Sequence, residues 1–174
     1  MPTRRGSKQT SSAGVVIERA SLADVQGILA LARENGPDRG GELSVRLQRE
    51  AIVARISELP SIVARRQGSV IGFLLTSEAK APCPPIVAAM LRAYPGSEGA
   101  YVYGPVCVHA AKRRQGIAAA MFAKLRRLLP GREGILFIKA SNEPSLRAHR
   151  KMGMRQVAEF THEGIALVVF SYNS

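Results

Sequence analysis

The turn from Arg113 to Ala118 carries the clearest chemical pattern in this sequence of 174 residues. It follows a short apolar run, residues 106–108, that is typical of a strand end, and it precedes a helical pattern with apolar residues at Ile117, Met121, Leu125 and Leu128. The first amides of a helix have no intrahelical partner and lie at the positive end of the helix dipole. Gly116 lets an anion approach the backbone closely. The stretch therefore predicts a phosphate-binding turn between a strand and a helix.

Common nucleotide-binding motifs do not explain this turn, because the sequence contains neither a P-loop nor a GxGxxG pattern. The residues Arg113-x-x-Gly116-x-Ala118 resemble instead the acetyl-CoA pyrophosphate loop of the Gcn5-related N-acetyltransferase (GNAT) superfamily. A second segment downstream is similar to the acetyl-CoA segment of the same superfamily, with Asn142, Ser145, His149 and Gly153 at the matching positions. The two motifs in this chain order are far more specific together than either is alone.

The resemblance implies that acetyl-CoA is the cosubstrate and assigns residues to it. Backbone groups of Val106 and Val108 are expected beside the pantetheine and the thioester. The expected pyrophosphate site is formed by the amides of Arg113, Arg114, Gln115, Gly116, Ile117 and Ala118. Asn142 is expected to contact the pantetheine arm, and Ser145 belongs to the same segment. The side chains of Arg113 and Arg114 either add positive charge here or are solvated turn cations.

Acetyl transfer to an amine requires a neutral amine, a fixed donor for the oxyanion and a proton for the departing thiolate. The backbone amide of Val108 or a neighbour is the candidate oxyanion donor. His149 is the candidate proton donor, since many relatives have tyrosine at this position and some have histidine, and histidine titrates near neutral pH. Ser145, His149 and Met152 share one helix face by their spacing. His149 thus either donates a proton or only lines the thioester site.

No carboxylate stands where relatives often place a general base, because residues 100–108 contain no Asp or Glu. Tyr101 and Tyr103 share one face of this strand. They either shape the acceptor pocket, order a water that removes the proton, or serve as core aromatics. Tyr103 is therefore the second catalytic candidate beside His149. The other candidates are predicted to lie in loops or surface turns, namely Glu98, His109, His162 and Glu163.

Alternating strands and helices are predicted to position these residues. The expected strands are residues 14–19, 61–65, 70–76, 101–108, 134–139, 156–160 and 165–172, and the expected helices begin at Ser21 and cover 42–59, 86–93, 117–129 and 142–152. Gly104-Pro105 predicts a bulge or splay within its strand. The fold class is α/β: a GNAT-like mixed, mostly antiparallel sheet with a central strand splay, flanked by about four helices. Residues 14–174 are expected to form a single domain behind a disordered tail, residues 1–13.

Composition limits the other possibilities. A hydrophobic content of 46% excludes a chain that is disordered throughout. Cys83 and Cys107 lack paired ligand spacing, so neither a disulfide nor a metal is expected. No run approaches the roughly 18 apolar residues of a membrane helix, so no membrane partner and a cytoplasmic location are expected.

The predicted function is transfer of an acetyl group from acetyl-CoA to a primary amine by direct attack in a ternary complex. The alternative is a non-catalytic acyl-CoA-binding sensor or interaction domain, which the missing strand carboxylate motivates. Residues 112–155 hold twelve Lys or Arg and two Glu, but aromatic residues make up only 5% of the chain, so nucleic acid is not expected. The acceptor, a small-molecule or peptide amine, is expected to bind among residues 42–59, 79–99 and 162–164. The sequence leaves a homodimer open.

Overall fold

A seven-stranded sheet with the order β1-β2-β3-β4-β5-β7-β6 forms the centre of the protein. The computed structural model describes residues 14–39, 41, 43 and 46–174, so the predicted tail, residues 1–13, lies outside the described residues. The strands are β1 (Val15–Arg19), β2 (Ile62–Arg66), β3 (Ser69–Glu78), β4 (Tyr101–Val108), β5 (Glu133–Lys139), β6 (Arg155–His162) and β7 (Ile165–Asn173). Among these described strands, only β4 and β5 pair in parallel. The prediction of a mixed, mostly antiparallel sheet is confirmed.

Helices cover both faces of this sheet. They are α1 (Val25–Glu34), α2 (Arg49–Glu58), α3 (Pro85–Ala93), α4 (Ile117–Leu128) and α5 (Glu143–Lys151). Side chains alternate along β3: Leu74 packs into one core cluster with residues of α4 and α5, whereas Phe73 and Leu75 pack into another with residues of α1 and α2. The described part of the chain holds five α-helices, one for each of the five helical segments that the sequence predicts, and α3 is the short helix predicted for residues 86–93.

None of the described helices is long and apolar enough to cross a membrane.

Two details of the predicted helices are wrong. Helix α2 begins at Arg49 with Gln48 as its N-cap, so it is shorter than the predicted helix 42–59. Residues 42, 44 and 45 of the predicted range lie outside the described part of the chain. Within it, Ile52 and Ile56 are buried at a spacing of four, and Ala51 lies off that stripe and is exposed. The spacing of Leu22 from Val25 and Ile28 predicts that it lies on the apolar stripe of the first helix. It is instead 59% exposed, because it belongs to a 3-10 turn that precedes α1 and has a different periodicity.

A bulge and a splay occur where Gly104-Pro105 predicted them. Leu74 pairs with Val106 and Thr76 pairs with Tyr103, so two residues of β4 lie opposite one residue of β3. On its other side β4 pairs with β5 only at Tyr101 and Val102, although both strands continue further. Strand β5 remains paired with β7 as far as Lys139. The sheet is therefore open between the later halves of β4 and β5.

Candidate active site

The open seam between β4 and β5 leads into a cavity of about 350 Å³. Strand β4 contributes residues 102–108 to its walls, and β5 contributes residues 136–139. The first turns of α5 close one side with Asn142, Ser145 and His149. The cavity is thus built from the elements that the two sequence motifs flank.

The backbone of β4 presents alternate residues to this seam. The amide of His109 donates to the carbonyl of Ile71 in β3 at 2.8 Å. The backbone N–H and C=O groups of successive strand residues point to opposite sides. Those of Cys107 therefore also point toward β3, and those of Val106 and Val108 point toward the seam. The amides and carbonyls of Val106 and Val108 thus point to the side where β5 has separated.

The turn before α4 leaves a row of backbone amides unpaired. Gly116 caps the helix in the left-handed conformation with φ 76°, and the first backbone bond of the helix is from the Ala120 amide to the Gly116 carbonyl. Among described residues, the amides of residues 114–119 have no hydrogen-bond acceptor. A Cβ placed on Gly116 would meet nothing within 4 Å, so the space in front of the turn is open. An anion can reach these amides from solvent.

The Arg113 side chain is exposed, but it bonds back to the sheet and to α1. Its Nε donates to the Val108 carbonyl at 3.2 Å, and its Nη2 donates to Oδ1 of Asn35 at 2.6 Å. The residue therefore joins the turn to β4 and to the end of α1. Arg114 is exposed, with φ 62°.

Asn142 is the N-cap of α5. Its Oδ1 accepts a hydrogen bond from the Ser145 amide at 3.2 Å. This contact satisfies one of the amides that a helix start leaves unpaired. The Nδ2 group of Asn142 is then the part of the side chain that can donate to a ligand in the cavity.

His149 is buried against the cavity, with 5% of its surface exposed. Its Nδ1 lies 2.8 Å from the Ser145 carbonyl, and since a carbonyl only accepts, Nδ1 carries the hydrogen. Its Nε2 is buried and has no hydrogen-bond partner among the described residues. Burial lowers the pKa of His149, and the bond to Ser145 opposes this shift only in part. The imidazole is therefore neutral at pH 7, with an electron pair on Nε2.

Tyr103 lies beside His149, with ring centroids 5.8 Å apart and nearly perpendicular planes. Its hydroxyl is buried and has no hydrogen-bond partner in the described part of the chain. Burial raises the pKa of Tyr103, so the hydroxyl stays protonated and is available as a donor. Tyr101 shares the strand face but donates to or accepts from the Tyr172 hydroxyl inside the core. Of the two tyrosines, Tyr103 alone lines the cavity.

The other candidates from the sequence lie elsewhere or are unreactive. Cys107 is packed in the core, with 6% exposure, and burial raises its pKa to about 12. His109 caps a surface turn, where its Nδ1 accepts from the Ala111 amide. Glu98, His162 and Glu163 are not among the lining residues, so the predicted contribution of residues 162–164 to this cavity is not found. Among described residues, no group of three or more His, Cys, Asp or Glu is placed to hold a metal ion.

Arg55 of α2 also lines the cavity and is not among the site residues that the sequence predicts. Its Nη1 donates to the Gly104 carbonyl, at the bulge, over 2.9 Å. Nothing in the local pattern marks it, because an arginine between two buried isoleucines of a surface helix is ordinary. Other lining residues from the predicted acceptor segments are Leu43, Leu47, Pro84 and Val87.

Comparison with known proteins is consistent with this geometry. A family model described as "Acetyltransferase (GNAT) family" matches residues 25–154. An N-acetyltransferase from Staphylococcus aureus is similar in structure, with a TM-score of 0.66 and 20% identity over 92% of this chain and 99% of that one. A putative acetyltransferase from Salmonella typhimurium, solved with acetyl-CoA, has a TM-score of 0.65 and 15% identity over 92% and 94% of the two chains. Ribosomal-protein-S18-alanine N-acetyltransferase from Escherichia coli has a TM-score of 0.64 and 11% identity over 90% and 92%. Comparison with curated proteins found no significant match.

Proposed function

The chain belongs to the GNAT acetyltransferase family, whose model covers residues 25–154, and we propose that it transfers an acetyl group from acetyl-CoA to a primary amine by direct attack in a ternary complex. The observation that carries this proposal is the coincidence of two features around one cavity. The sheet opens after Val102 of β4, and a row of unpaired amides lies at the turn that follows the same strand.

The residues around the cavity fit acetyl-CoA, which supplies an acetyl group activated as a thioester. The amides from Arg114 to Ala118 would hold the pyrophosphate, because unpaired amides at a helix start favour anions. The Arg113 amide, which was expected to join them, already donates to the Ala110 carbonyl at 3.4 Å. The seam-facing backbone of Val106 and Val108 would bind the pantetheine arm. Asn142 would add a donor through Nδ2, and Ser145 would fix the start of α5 beside it. Each assignment uses a group that the fold leaves available.

We infer that His149 moves the proton rather than simply donating it. With Nδ1 bonded to Ser145, the neutral imidazole accepts a proton at Nε2 from the attacking amine. The imidazolium formed in this way then gives that proton to the departing sulfur. The proton lost by the nitrogen is thus the one gained by the thiolate, and no separate carboxylate base is needed.

Two further groups support this path. The Val108 amide, or a neighbour that faces the seam, donates to the oxygen that gains negative charge. The protonated hydroxyl of Tyr103 donates a hydrogen bond within the same pocket, which orients the amine or a water beside Nε2. Because burial raises the pKa of Cys107 to about 12, its thiol stays protonated and is a poor nucleophile, which favours direct attack over an acyl-cysteine.

A thiol-release assay with acetyl-CoA over a panel of primary amines tests the proposal. We expect CoA release that depends on the amine, together with an acetylated amine identified by mass spectrometry. Incubation with acetyl-CoA without an amine should leave the mass of the protein unchanged. Tight CoA binding without release over the whole panel would contradict the proposal and favour a non-catalytic sensor.

A further inference from the structure

Arg55 is a cation fixed at the point where the sheet opens. Its side chain reaches from α2 to the carbonyl of Gly104. Gly104 follows Tyr103 in the sequence and stands two residues before Val106. This single bond from Nη1 fixes the guanidinium at the cavity wall. Guanidinium has five N–H donors, so the remaining donors are available to a ligand.

The charged side chains that line the cavity are all of one sign among the described residues. The described lining residues include the cations Arg55, Arg113 and Lys139 and no Asp or Glu. Arg113 already donates to Asn35 and to Val108. Arg55 forms no ion pair with any carboxylate in the described part of the chain. The cavity therefore attracts an anion and disfavours a bound ammonium.

Arg55 is also partly removed from water. Burial lowers its pKa, and electrostatic interactions with Cys83 and Glu58 oppose this shift in part. Arginine nevertheless stays protonated at every physiological pH. A desolvated cation without a counterion is costly, and an anion bound in two-pronged geometry offsets that cost.

We propose that Arg55 binds the carboxylate of the acceptor, and that the acceptor is a free amino acid or a similar small amino carboxylate. The proposal rests on the proposed function, since it assigns the substrate class of the same site. The guanidinium lies beside the bulge that begins the seam, so a carboxylate bound there must be only a few bonds from the attacking nitrogen. A free α-amino acid meets this condition, whereas the corresponding group of a peptide is an uncharged amide.

The same charges suit the chemistry that the amine must undergo. With no carboxylate among the described lining residues to hold an ammonium, and with a neutral His149, the site favours the uncharged amine that can attack. The carboxylate then provides the binding energy that the ammonium does not. The acceptor is thus bound by its anionic group and reacts through its neutral nitrogen.

Paired acceptors test this inference. Free α-amino acids and their α-amides differ in one charge near the amine, and kcat/KM is measured for both members of each pair. We expect the best amino acid to exceed its amide by about tenfold or more, the effect of one charge-assisted pair. Arg55→Gln should lower this acid-to-amide ratio by about tenfold or more, mainly through KM for the acid. Arg55→Lys should retain part of the preference.

A matched control lies on the same helix. Arg49 is exposed at the start of α2 and does not line the cavity, so Arg49→Gln should leave the acid-to-amide ratio as it is in the wild type. Melting temperatures of the variants check that Arg55→Gln is folded. If Arg55→Gln unfolds, the wild-type ratio and Arg55→Lys still decide the question. An acid-to-amide ratio near one in the wild type, or faster acetylation of peptides than of amino acids, would overturn the inference.

A binding measurement separates this inference from the proposed function. N-acetyl amino acids and their amides, titrated calorimetrically into the protein with CoA present, require no turnover. Tighter binding of the acids that is lost in Arg55→Gln supports the carboxylate site even if no amine is acetylated. Turnover on amines with equal binding of acids and amides supports the acetyltransferase and refutes the carboxylate site.

Discussion

The carbonyl of Ser145 accepts a hydrogen bond from Nδ1 of His149 at 2.8 Å, one turn later in the same helix. This contact fixes the tautomer, because the proton on Nδ1 leaves Nε2 as a buried acceptor that has no partner among the described residues. Burial lowers the pKa of the ring and keeps it in this neutral state. A residue first identified as a proton donor is therefore prepared to accept a proton before it gives one.

Replacing His149 should remove the proton relay. We expect His149→Phe to lower kcat by about 10²- to 10⁴-fold, the usual contribution of general acid–base catalysis. In the wild type, kcat/KM corrected for the neutral fraction of the amine should fall on acidification only below the lowered pKa of His149, since only the neutral ring accepts a proton. Initial rates of thiol release across pH measure both effects. Full turnover of His149→Phe at saturating substrate would show that the residue only lines the site.

The same pKa shift should appear in the stability of the protein. The folded-state pKa of His149 lies below the ordinary value, so between the two values the unfolded chain binds more protons and the free energy of unfolding rises with pH. This contribution is present above pH of about 6.5 and is lost as the pH falls through the folded-state pKa. Urea unfolding of the wild type and of His149→Gln at about pH 7.5 and about pH 5 measures it. The wild type should lose more stability than the variant, and equal losses would show that His149 titrates normally.

The two tyrosines of β4 should respond oppositely to removal of the hydroxyl. Tyr103→Phe deletes a buried hydroxyl that has no described partner, so the free energy of unfolding should stay the same or rise, while kcat falls. Tyr101→Phe deletes a hydroxyl that bonds Tyr172, so it should cost about 1 kcal/mol and leave kcat unchanged. Thermal melts and thiol-release rates of both variants compare them. Unchanged kcat in Tyr103→Phe would reduce Tyr103 to a core residue.

The features that the sequence predicted are those that depend on neighbours along the chain. The strand, basic turn and helix around Gly116 follow from local pattern. The pair Gln67-Gly68 between two β-rich runs predicts a hairpin in the same way, and both residues have positive φ. The role of Arg55 could not be predicted, because it depends on a carbonyl 49 residues away. The protonation state of His149 could not be predicted either, since burial and the Ser145 carbonyl determine it only in the folded helix.

Asn142 combines a structural and a binding role, and two substitutions separate them. Asn142→Asp keeps an oxygen that caps α5 but loses the Nδ2 donors, so stability should hold while the Kd for CoA rises. Asn142→Ala should also lose about 1 kcal/mol of stability, because the Ser145 amide loses its acceptor. Calorimetric titration with CoA and thermal melts measure the two quantities. If Asn142→Asp binds CoA as tightly as the wild type, Asn142 is a helix cap only.

We expect the pyrophosphate to bind at Gly116 because this residue has a left-handed backbone conformation. Residues with a side chain adopt that conformation only at a cost in free energy. Gly116 has φ 76°, and a Cβ there meets nothing within 4 Å, so Gly116→Ala strains the backbone without a clash and should cost about 1 kcal/mol. Gly131 is the matched control, exposed with φ 73° and equally open, and it lies away from the turn. Both variants should lose similar stability, but only Gly116→Ala should weaken CoA binding, because relief of the strain moves the adjacent amides. Equal CoA affinity of the two variants would mean that the pyrophosphate does not bind at this turn.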